Sequence, residues 1–417
     1  MKTLKKLFER QDCRSKLSDS IPQADLPEML ERIRQIILKI LKQSLSSDQS
    51  KSWGQQLVEP ADVQINGTRP WDIQVHNEDF YSRIFTGGTL ALGESYMDGW
   101  WDAEHLDQFF ERVIRADLEE KIKNWVYAAL AIRAKLLNPQ HSSGAFEVGE
   151  VHYDVGNELY ERMLGERMLY TCGYWKDAEN LDQAQEAKLD LTCRKIGLQP
   201  GMRVLDIGCG WSGFGKFAAE AYGAEVVGVT VSKEQVKLAQ ERCKGLPVET
   251  RLQNYEDIDD EKFDRIVSLG MFEHVGYKNY RKFMEVAHRC LEDDGLFLLH
   301  TIGNNESTTH MNPWIQKYIF PNAMIPSMAQ IGKAAEKLFV IEDWHNFGAD
   351  YDKTLMAWHQ NFEKHWPELK EKYGERFHRM WRYYLLQAAG TFRARDLQLW
   401  QIVLSKKGIP GGYTSIR

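Results

Sequence analysis

Short apolar runs alternate with segments of helical spacing along the chain from about Gly201 onward. Five of these runs predict strands: "RVLDIGCG", "AEVVGVTVS", "VETRLQ", "FDRIVSLGM" and "GLFLLHTIG". Because strands and helices alternate, the pattern predicts an α/β fold with a doubly wound, mostly parallel sheet. A further run, "DLQLWQIVLSK", is expected to add an edge strand, and a largely helical insert is expected from about Pro313 to Ala394.

The N-terminal third has a different pattern. A capping box formed by Asp25 and Glu28 precedes apolar residues at helical spacing as far as Leu41, which predicts a helix. Packing of this helix on its own domain is favoured over a position on a membrane surface. The segment "VQINGTRPWDIQVHN" has short alternating runs around Asn66 and Gly67, which predict a β-hairpin.

The clearest linker in the sequence is "NPQHSSG", which follows an amphipathic and partly basic stretch from Lys121 to Leu137. We therefore expect a smaller N-terminal α+β domain at residues 1–137, a linker at residues 138–150 and a larger domain at residues 151–417.

Composition narrows the class of protein. The apolar runs in the 417 residues fall short of the ~18 that a membrane span needs, and no signal-peptide core follows the N-terminus. The six cysteines lack CxxC spacing, which disfavours a zinc ribbon or a disulfide framework and suits the cytoplasm. A net charge of −7 argues against nucleic acid as a partner. Residues 1–16 are nevertheless basic, which suits an anionic membrane surface.

The loop "LDIGCGWSG" is the first candidate for ligand binding. It places Asp206 at the end of a strand and continues with Gly208, Gly210 and Gly213. This glycine pattern also fits dinucleotides, but the second strand ends without an acid, and Thr230 and Gln235 follow it instead. An acid directly before the glycines suits S-adenosylmethionine, because a carboxylate favours its cationic groups.

Nine motifs in order carry a resemblance to a known family. They are "LGESYMDGWW", "HYDVGNELY", "MLYTCGYW", "VLDIGCGWSGFG", "GMFEHVG", "LLHTIG", "KYIFPN", "DWHNFGADYDKTLMAW" and "FRARDLQLWQ". From about Trp53 to about residue 405 the chain resembles the bacterial cyclopropane-fatty-acyl-phospholipid synthases, with the mycolic acid cyclopropane synthases as more distant relatives. The resemblance implies a Rossmann-like, class I S-adenosylmethionine methyltransferase sheet with a helical insert at the lipid pocket.

The resemblance also implies the reaction. A methyl group passes from S-adenosylmethionine to a cis double bond of a phospholipid acyl chain, and loss of a proton closes a cyclopropane ring. In the family the base is taken to be bound bicarbonate, and the residues that hold it correspond to Cys172, Glu273, His300, the backbone of Ile302, and Tyr351. Glu273 would accept the hydroxyl of bicarbonate, while His300, Tyr351 and the Ile302 amide would donate to its oxygens.

Other roles follow from the same resemblance. The cofactor contacts correspond to Tyr170, Thr171, Gly208, Gly210, Thr230, Gln235, Tyr255 and Glu256. His274 is interpreted as structural, and His152 is expected to order the segment around the cofactor. Ser212 stands where glycine is common in the family, and Ala388 stands where some members have cysteine.

Cys172 is interpreted as a neutral thiol that touches bicarbonate. A thiolate beside a carbocation would be alkylated, and methyl transfer needs no covalent enzyme intermediate.

Access of lipid to the site leaves alternatives open. The aromatic-rich segment "NPWIQKYIFPNAMIPSMAQI" either lines the acyl pocket or packs in the core. The basic N-terminus and residues 121–135 are candidates for docking on an anionic bilayer, so we expect peripheral association with the inner membrane. The N-terminal domain could instead form a homodimer contact. The alternative functions are methyl branching of a fatty chain, methylation of a sphingolipid base or an amine, and lipid binding without catalysis.

Overall fold

The computed structural model describes residues 47–118, 156–259 and 261–417. The helix expected behind Asp25, the basic stretch from Lys121, the linker at residues 138–150 and His152 lie outside these residues.

Three helices and a small sheet make up residues 47–118. They are α1 (Ser47–Val58), β1 (Gln74–Val75), α2 (Asp79–Met97), β2 (Trp101–Asp102) and α3 (Leu106–Arg115). The strands β1 and β2 pair antiparallel, so the prediction of a hairpin around Asn66 and Gly67 was wrong. The carboxylate of Asp72 accepts bonds from the amides of Gln64 (2.8 Å) and Arg69 (3.0 Å), and this closes the segment into a loop.

The remainder of the chain alternates strands and helices as expected. The elements are α4 (Asn157–Met163), α5 (Leu181–Lys195), β3 (Arg203–Ile207), α6 (Gly213–Tyr222), β4 (Glu225–Thr230), α7 (Lys233–Arg242), β5 (Val248–Leu252), β6 (Phe263–Leu269), α8 (Tyr280–Cys290), β7 (Leu291–Asn304), α9 (Pro313–Tyr318), α10 (Met328–Ala335), β8 (Val340–Asn346), α11 (Ala349–Arg393) and β9 (Leu397–Ser405). Side-chain caps begin several helices. Asn180 and Ser232 accept from backbone amides at the starts of α5 and α7, and Ser327 forms a capping box with Gln330.

The central sheet has seven strands in the order β5-β4-β3-β6-β7-β9-β8. The first five are parallel, which confirms the doubly wound α/β prediction. The strand β9 runs antiparallel between β7 and β8, so the prediction that it lies at the edge was wrong. The edge strand on this side of the sheet is β8, which lies inside the segment expected to be largely helical.

The helix α11 consists of two arms that fold back on each other. The chain reverses at Gly374, whose φ of 76° is readily adopted only without a side chain. The rings of Tyr351 and Phe392, near the two ends of α11, are therefore only 4.5 Å apart. Arg393 closes the pair with two bonds to the carboxylate of Asp352 (2.8 and 2.9 Å).

Residues 47–118 pack against the second arm of α11. The ring of Tyr383 lies 5.1 Å from Phe110 and 5.4 Å from Tyr96. Arg379 donates to the carbonyl of Trp101 (2.9 Å) and to the carboxylate of Asp102 (2.8 Å). One hydrophobic core therefore joins this N-terminal part to the helices of the larger part. None of the helices in the described ranges has the length and apolar character required to cross a bilayer.

Candidate active site

A cleft opens at the carboxyl edge of the parallel strands, where ligand sites of doubly wound sheets lie. It encloses about 1160 Å³ of space, open solvent included. Nine of the ten residues predicted to contact the cofactor line it: Tyr170, Thr171, Asp206, Gly208, Gly210, Thr230, Gln235, Tyr255 and Glu256. Gly213, the tenth, begins α6 and is not among the lining residues.

Two glycines of the loop, Gly208 and Gly213, allow close packing that a side chain would prevent. Gly208 has a φ of +84°, and a Cβ there would lie 2.5 Å from the Cβ of Met271, so the loop and the turn after β6 approach closely. A Cβ at Gly213 would lie 2.6 Å from the carbonyl oxygen of Arg167. Gly213 therefore packs α6 against the segment before the cleft. Ser212, the departure from glycine, has a φ of 56° and lies within hydrogen-bond distance of Thr250 (Oγ to Oγ1, 2.9 Å).

Asp206 supplies the acidic group of the cleft. Its side chain is buried, and its Oδ1 has no hydrogen-bond partner within the described ranges. Burial raises the pKa of Asp206 to about 7, and the charge of Lys188 acts in the opposite direction. A nearby cationic ligand would favour the ionised carboxylate, so this position suits a positively charged group.

The remaining polar residues of the cleft are arranged in two pairs. The hydroxyl of Thr230 donates to Oε1 of Gln235 (2.6 Å). The hydroxyl of Tyr255 lies 3.4 Å from Glu256, whose carboxylate also pairs with Lys282. These pairs place hydroxyl, amide and carboxylate groups along the rim, where they can bind hydroxyl and amino groups of a ligand.

The segment 168–175 covers one side of the cleft and is tied to α11. Thr354 accepts bonds from the amide of Gly173 (3.1 Å) and from the indole of Trp175 (2.9 Å). Cys172, which directly precedes Gly173, is fully buried, and its thiol donates to the carbonyl of Gly173 (3.1 Å). Burial raises the pKa of the Cys172 thiol well above its ordinary value. The thiol is therefore neutral.

Glu273 follows β6 in a short 3₁₀ turn. Its Oε1 accepts a bond from the amide of Ile302 (2.7 Å), and its Oε2 has no hydrogen-bond partner in the ranges that the structure describes. Burial raises the pKa of Glu273 to about 7, against the effect of the Ile302 amide. That amide was expected to donate to bicarbonate, but it donates to Glu273 and fixes the orientation of the carboxyl group.

His300 lies on β7, directly opposite Gln401 of β9. The amide nitrogen of Gln401 is 3.5 Å from Nδ1 of His300, while Nε2 is buried and has no partner among the described residues. Burial lowers the pKa of His300 well below its ordinary value, so the ring is neutral. If Nδ1 accepts from Gln401, the proton is on Nε2, which is then a buried donor.

Aromatic rings pack between Tyr170, which lines the cleft, and α11. The ring of Trp358 lies 5.2 Å from Tyr170 and 6.0 Å from Tyr351. Phe320, from the segment expected to line the acyl pocket or the core, lies 6.3 Å from Tyr170. Trp314, in the same segment, is instead fully buried against Tyr383 at 4.4 Å. Phe320 and Trp314 both pack among aromatic rings, and the lining of an acyl pocket by this segment stays a prediction.

Several residues of the site were not predicted. His274, interpreted as structural, lines the cleft, and burial lowers its pKa to about 4. Thr354 and Gln401 were missed because their contacts join segments far apart in sequence. Lys188 had a recognisable signal, since it occupies a position that repeats with the buried Ala184 and Leu191 on α5.

Comparisons with known proteins identify the family of the chain. The sequence model of the family described as mycolic acid cyclopropane synthetase matches residues 140–402. The chain is 54% identical over 358 residues to the cyclopropane-fatty-acyl-phospholipid synthase of Escherichia coli, covering 86% of this chain and 93% of that protein.

Solved structures of related enzymes share the fold. The cyclopropane synthase MmaA2 of Mycobacterium tuberculosis is 31% identical with a TM-score of 0.60, covering 63% of this chain and 98% of its own. The mycolic acid cyclopropane synthase CmaA1, in complex with SAH and CTAB, is 32% identical with a TM-score of 0.59, and the coverage is the same. These likenesses confirm the class I S-adenosylmethionine methyltransferase fold, and the chain belongs to the cyclopropane synthase family.

Proposed function

We propose that this protein converts the cis double bond of an unsaturated acyl chain in a membrane phospholipid into a cyclopropane ring. The methylene carbon comes from S-adenosylmethionine. One observation carries the proposal: Glu273 Oε2 and His300 Nε2 are two buried polar atoms without partners in the described ranges. A buried polar atom without a partner destabilises the fold unless a ligand binds it. Both atoms adjoin a cleft suited to a cationic methyl donor.

The first step breaks the bond between sulfur and the methyl carbon. The π-electron pair of the alkene forms a bond to that carbon, S-adenosylhomocysteine leaves, and positive charge develops on the neighbouring alkene carbon. Because an alkene is a weak nucleophile, the enzyme must hold donor and acceptor in line and close together. Asp206, the glycine loop and Thr171 lie where they can hold the donor.

The cation must be protected until the ring closes. The rings of Tyr170, Trp358 and Tyr351 can stabilise it through their π faces. Cys172 is neutral and buried, so it is a poor nucleophile toward the cation. Water would also trap the cation, which explains why the polar groups of this region are buried.

The final step removes one proton from the new methyl carbon, and the C–H electron pair closes the ring. Bicarbonate, when bound, would supply a weak base that accepts this proton. Glu273 and His300 fit such an ion, since an ionised Glu273 can accept its hydroxyl and Nε2 of His300 can donate to an oxygen. Cys172 and Tyr351 are the other residues proposed to touch it, while Ile302 acts by orienting Glu273.

Lipid in a bilayer must reach the cleft, so we propose peripheral association with an anionic inner-membrane surface. Basic segments around residues 1–16 and 121–135 are the candidates, and both lie outside the described residues. Vesicle binding that needs anionic lipid and weakens with salt would support this arrangement. Equal, salt-insensitive binding to neutral vesicles would refute it. A dimer role for the N-terminal part would be tested by sedimentation of the full chain.

Expression in a bacterium that lacks cyclopropane lipids tests the reaction. Mass spectrometry should show acyl chains that gain a CH₂ unit and lose their double bond. Methyl branching with reduction would give two more hydrogens, and no transfer from labelled S-adenosylmethionine would indicate a lipid-binding protein. Glu273→Gln should abolish the product in a folded protein, whereas Glu306→Gln, at an exposed position, should retain it.

A further inference from the structure

The helix α5 carries a lysine in an unusual environment. The side chain of Lys188 is completely buried, and its Nζ donates to the hydroxyl of Thr171 at 2.7 Å. Within the described residues, Lys188 forms no salt bridge, so no carboxylate oxygen lies within 4.0 Å of its ammonium group. A buried ammonium group with no carboxylate in contact destabilises the fold, so an anion bound beside Lys188 would be stabilised.

Lys188 donates to a residue of the cleft wall, since Thr171 lines the cleft. Burial lowers the pKa of Lys188 to about 7, and the carboxylate of Asp206 acts in the opposite direction. After burial, the charge of Lys188 is the next cause of the low pKa of His300. Thr171 also directly precedes Cys172 in the chain, so Lys188 contacts the segment that carries one of the proposed bicarbonate contacts.

Hydrogen bonds connect Lys188 to the same place. The hydroxyl of Thr192, one turn further along α5, donates to the carbonyl of Lys188 (2.8 Å) and accepts from Gln401 (3.2 Å). Gln401 also approaches Nδ1 of His300. The backbone at Lys188 is thus fixed relative to His300.

Among the residues that the structure describes, we find no second source of positive charge for the proposed anion site. His300 is neutral and the thiol of Cys172 is neutral, while an ionised Glu273 would repel an anion. The other fully buried lysine in the described ranges is Lys195. Lys195 already has partners within the protein, because its Nζ lies 3.0 Å from Nδ1 of His345 and 3.9 Å from the carboxylate of Asp343.

We propose that Lys188 is a positioning residue that supplies the buried positive charge holding bicarbonate beside Glu273 and His300. The inference rests on the proposed function, because it assigns a role toward the anion named there. Bicarbonate would in turn provide the anionic partner that this ammonium group lacks.

The test measures binding as well as turnover. Isotopically labelled bicarbonate is titrated into full-length protein and followed by NMR, S-adenosylhomocysteine is titrated by calorimetry, and kcat and the KM for bicarbonate are measured separately. Lys188→Met removes the charge, and Lys188→Gln keeps a donor for Thr171 without the charge. Both should weaken bicarbonate binding by at least about tenfold, given the strength of charge pairs in partly desolvated sites. S-adenosylhomocysteine affinity should change by less than about threefold.

Stability distinguishes a positioning role from a structural one. Because an isolated buried charge destabilises the fold, the Lys188 variants should unfold at the same or a higher temperature than the wild type. Lys195→Met, the same change on the same helix, is the matched control and should have a smaller effect on bicarbonate.

Unchanged bicarbonate affinity in either folded Lys188 variant would overturn the proposal. A large loss of S-adenosylhomocysteine affinity alone would also overturn it. That result would indicate that Lys188 acts on the methyl-donor cleft through Asp206. Unfolding of both variants would show a structural role. Failure of the wild type to bind bicarbonate would instead refute the bicarbonate part of the proposed function.

Discussion

Replacement of Glu273 by glutamine should separate the catalytic role of this residue from its effect on stability. The substitution keeps an oxygen that can accept from the Ile302 amide, which now meets Oε1 at 2.7 Å, and it removes ionisation. The pKa of Glu273 is raised in the folded state from 4.5 to about 7, with burial as the main cause. A raised folded pKa means that protonated Glu273 favours the fold below about pH 4.5 and that this contribution is lost as the pH rises through about 7.

The magnitude follows from the two pKa values. With 4.5 in the unfolded chain and about 7 in the fold, ionisation destabilises the wild type by ~1 kcal/mol at about pH 5 and by ~3 kcal/mol at about pH 8. The glutamine variant lacks this cost. Its stability relative to the wild type should therefore increase by ~2 kcal/mol between these two pH values and change little above about pH 8.

Urea unfolding in buffer free of carbon dioxide, followed by tryptophan fluorescence, measures this difference. Other buried groups titrate in the same range, but their effects cancel between two proteins that differ only at Glu273. The control Glu306→Gln should differ from the wild type by less than ~0.5 kcal/mol at both pH values. A difference for Glu273→Gln that does not change with pH would refute the reasoning, and a difference of opposite sign would show that the carboxylate is paired with a cation.

Three further substitutions test separate parts of the structure. Cys172→Ser should lower kcat by about fivefold, equivalent to ~1 kcal/mol for an altered buried hydrogen bond; complete loss with intact ligand binding would indicate a nucleophile. Gly208→Ala should weaken S-adenosylhomocysteine binding by at least about tenfold, since the new Cβ would overlap Met271. The control Gly245→Ala has a similar φ of +85° but open space around it, so calorimetry should show unchanged affinity. Arg379→Met should lower the free energy of unfolding in urea by ~1–3 kcal/mol, because Asp102 and the carbonyl of Trp101 lose their donor. S-adenosylhomocysteine affinity should not change. Unchanged stability would contradict a hydrophobic core shared by the two parts of the protein.

The parallel strands could be predicted because apolar runs and glycine-rich turns are local signals. The order of the last strands could not, since β9 enters between β7 and β8 by pairing over long sequence distances. The run "VIEDWHN" of β8 is half exposed and polar, so its pattern does not distinguish an edge strand from a helix. The hairpin prediction failed because the carboxylate of Asp72 holds the segment in a loop through hydrogen bonds to backbone amides. The alternation of apolar and polar residues does not reveal such bonds.

The candidate site was predicted chiefly through family motifs rather than through physical patterns. The glycine-rich motif predicted Asp206, Gly208 and Gly210, which line the cleft, because a strand followed by glycine fixes local geometry, whereas Gly213 does not line it. The partner of the Ile302 amide could not be foreseen, since it depends on how the turn with Glu273 lies against β7. The charge balance of the site likewise becomes visible only when Lys188 is seen buried beneath Thr171.

The contact between residues 47–118 and the second arm of α11 has a consequence for shortened forms of the protein. The mycolic acid enzymes cover only 63% of this chain, yet nearly all of their own length. A shortened chain that begins at residue 156 would match them in size. It would, however, expose the faces of Tyr383 and Trp314 that now pack against Phe110, Tyr96 and Met97. Soluble production of the catalytic part alone would therefore require polar replacements at the exposed positions of α11 and α9.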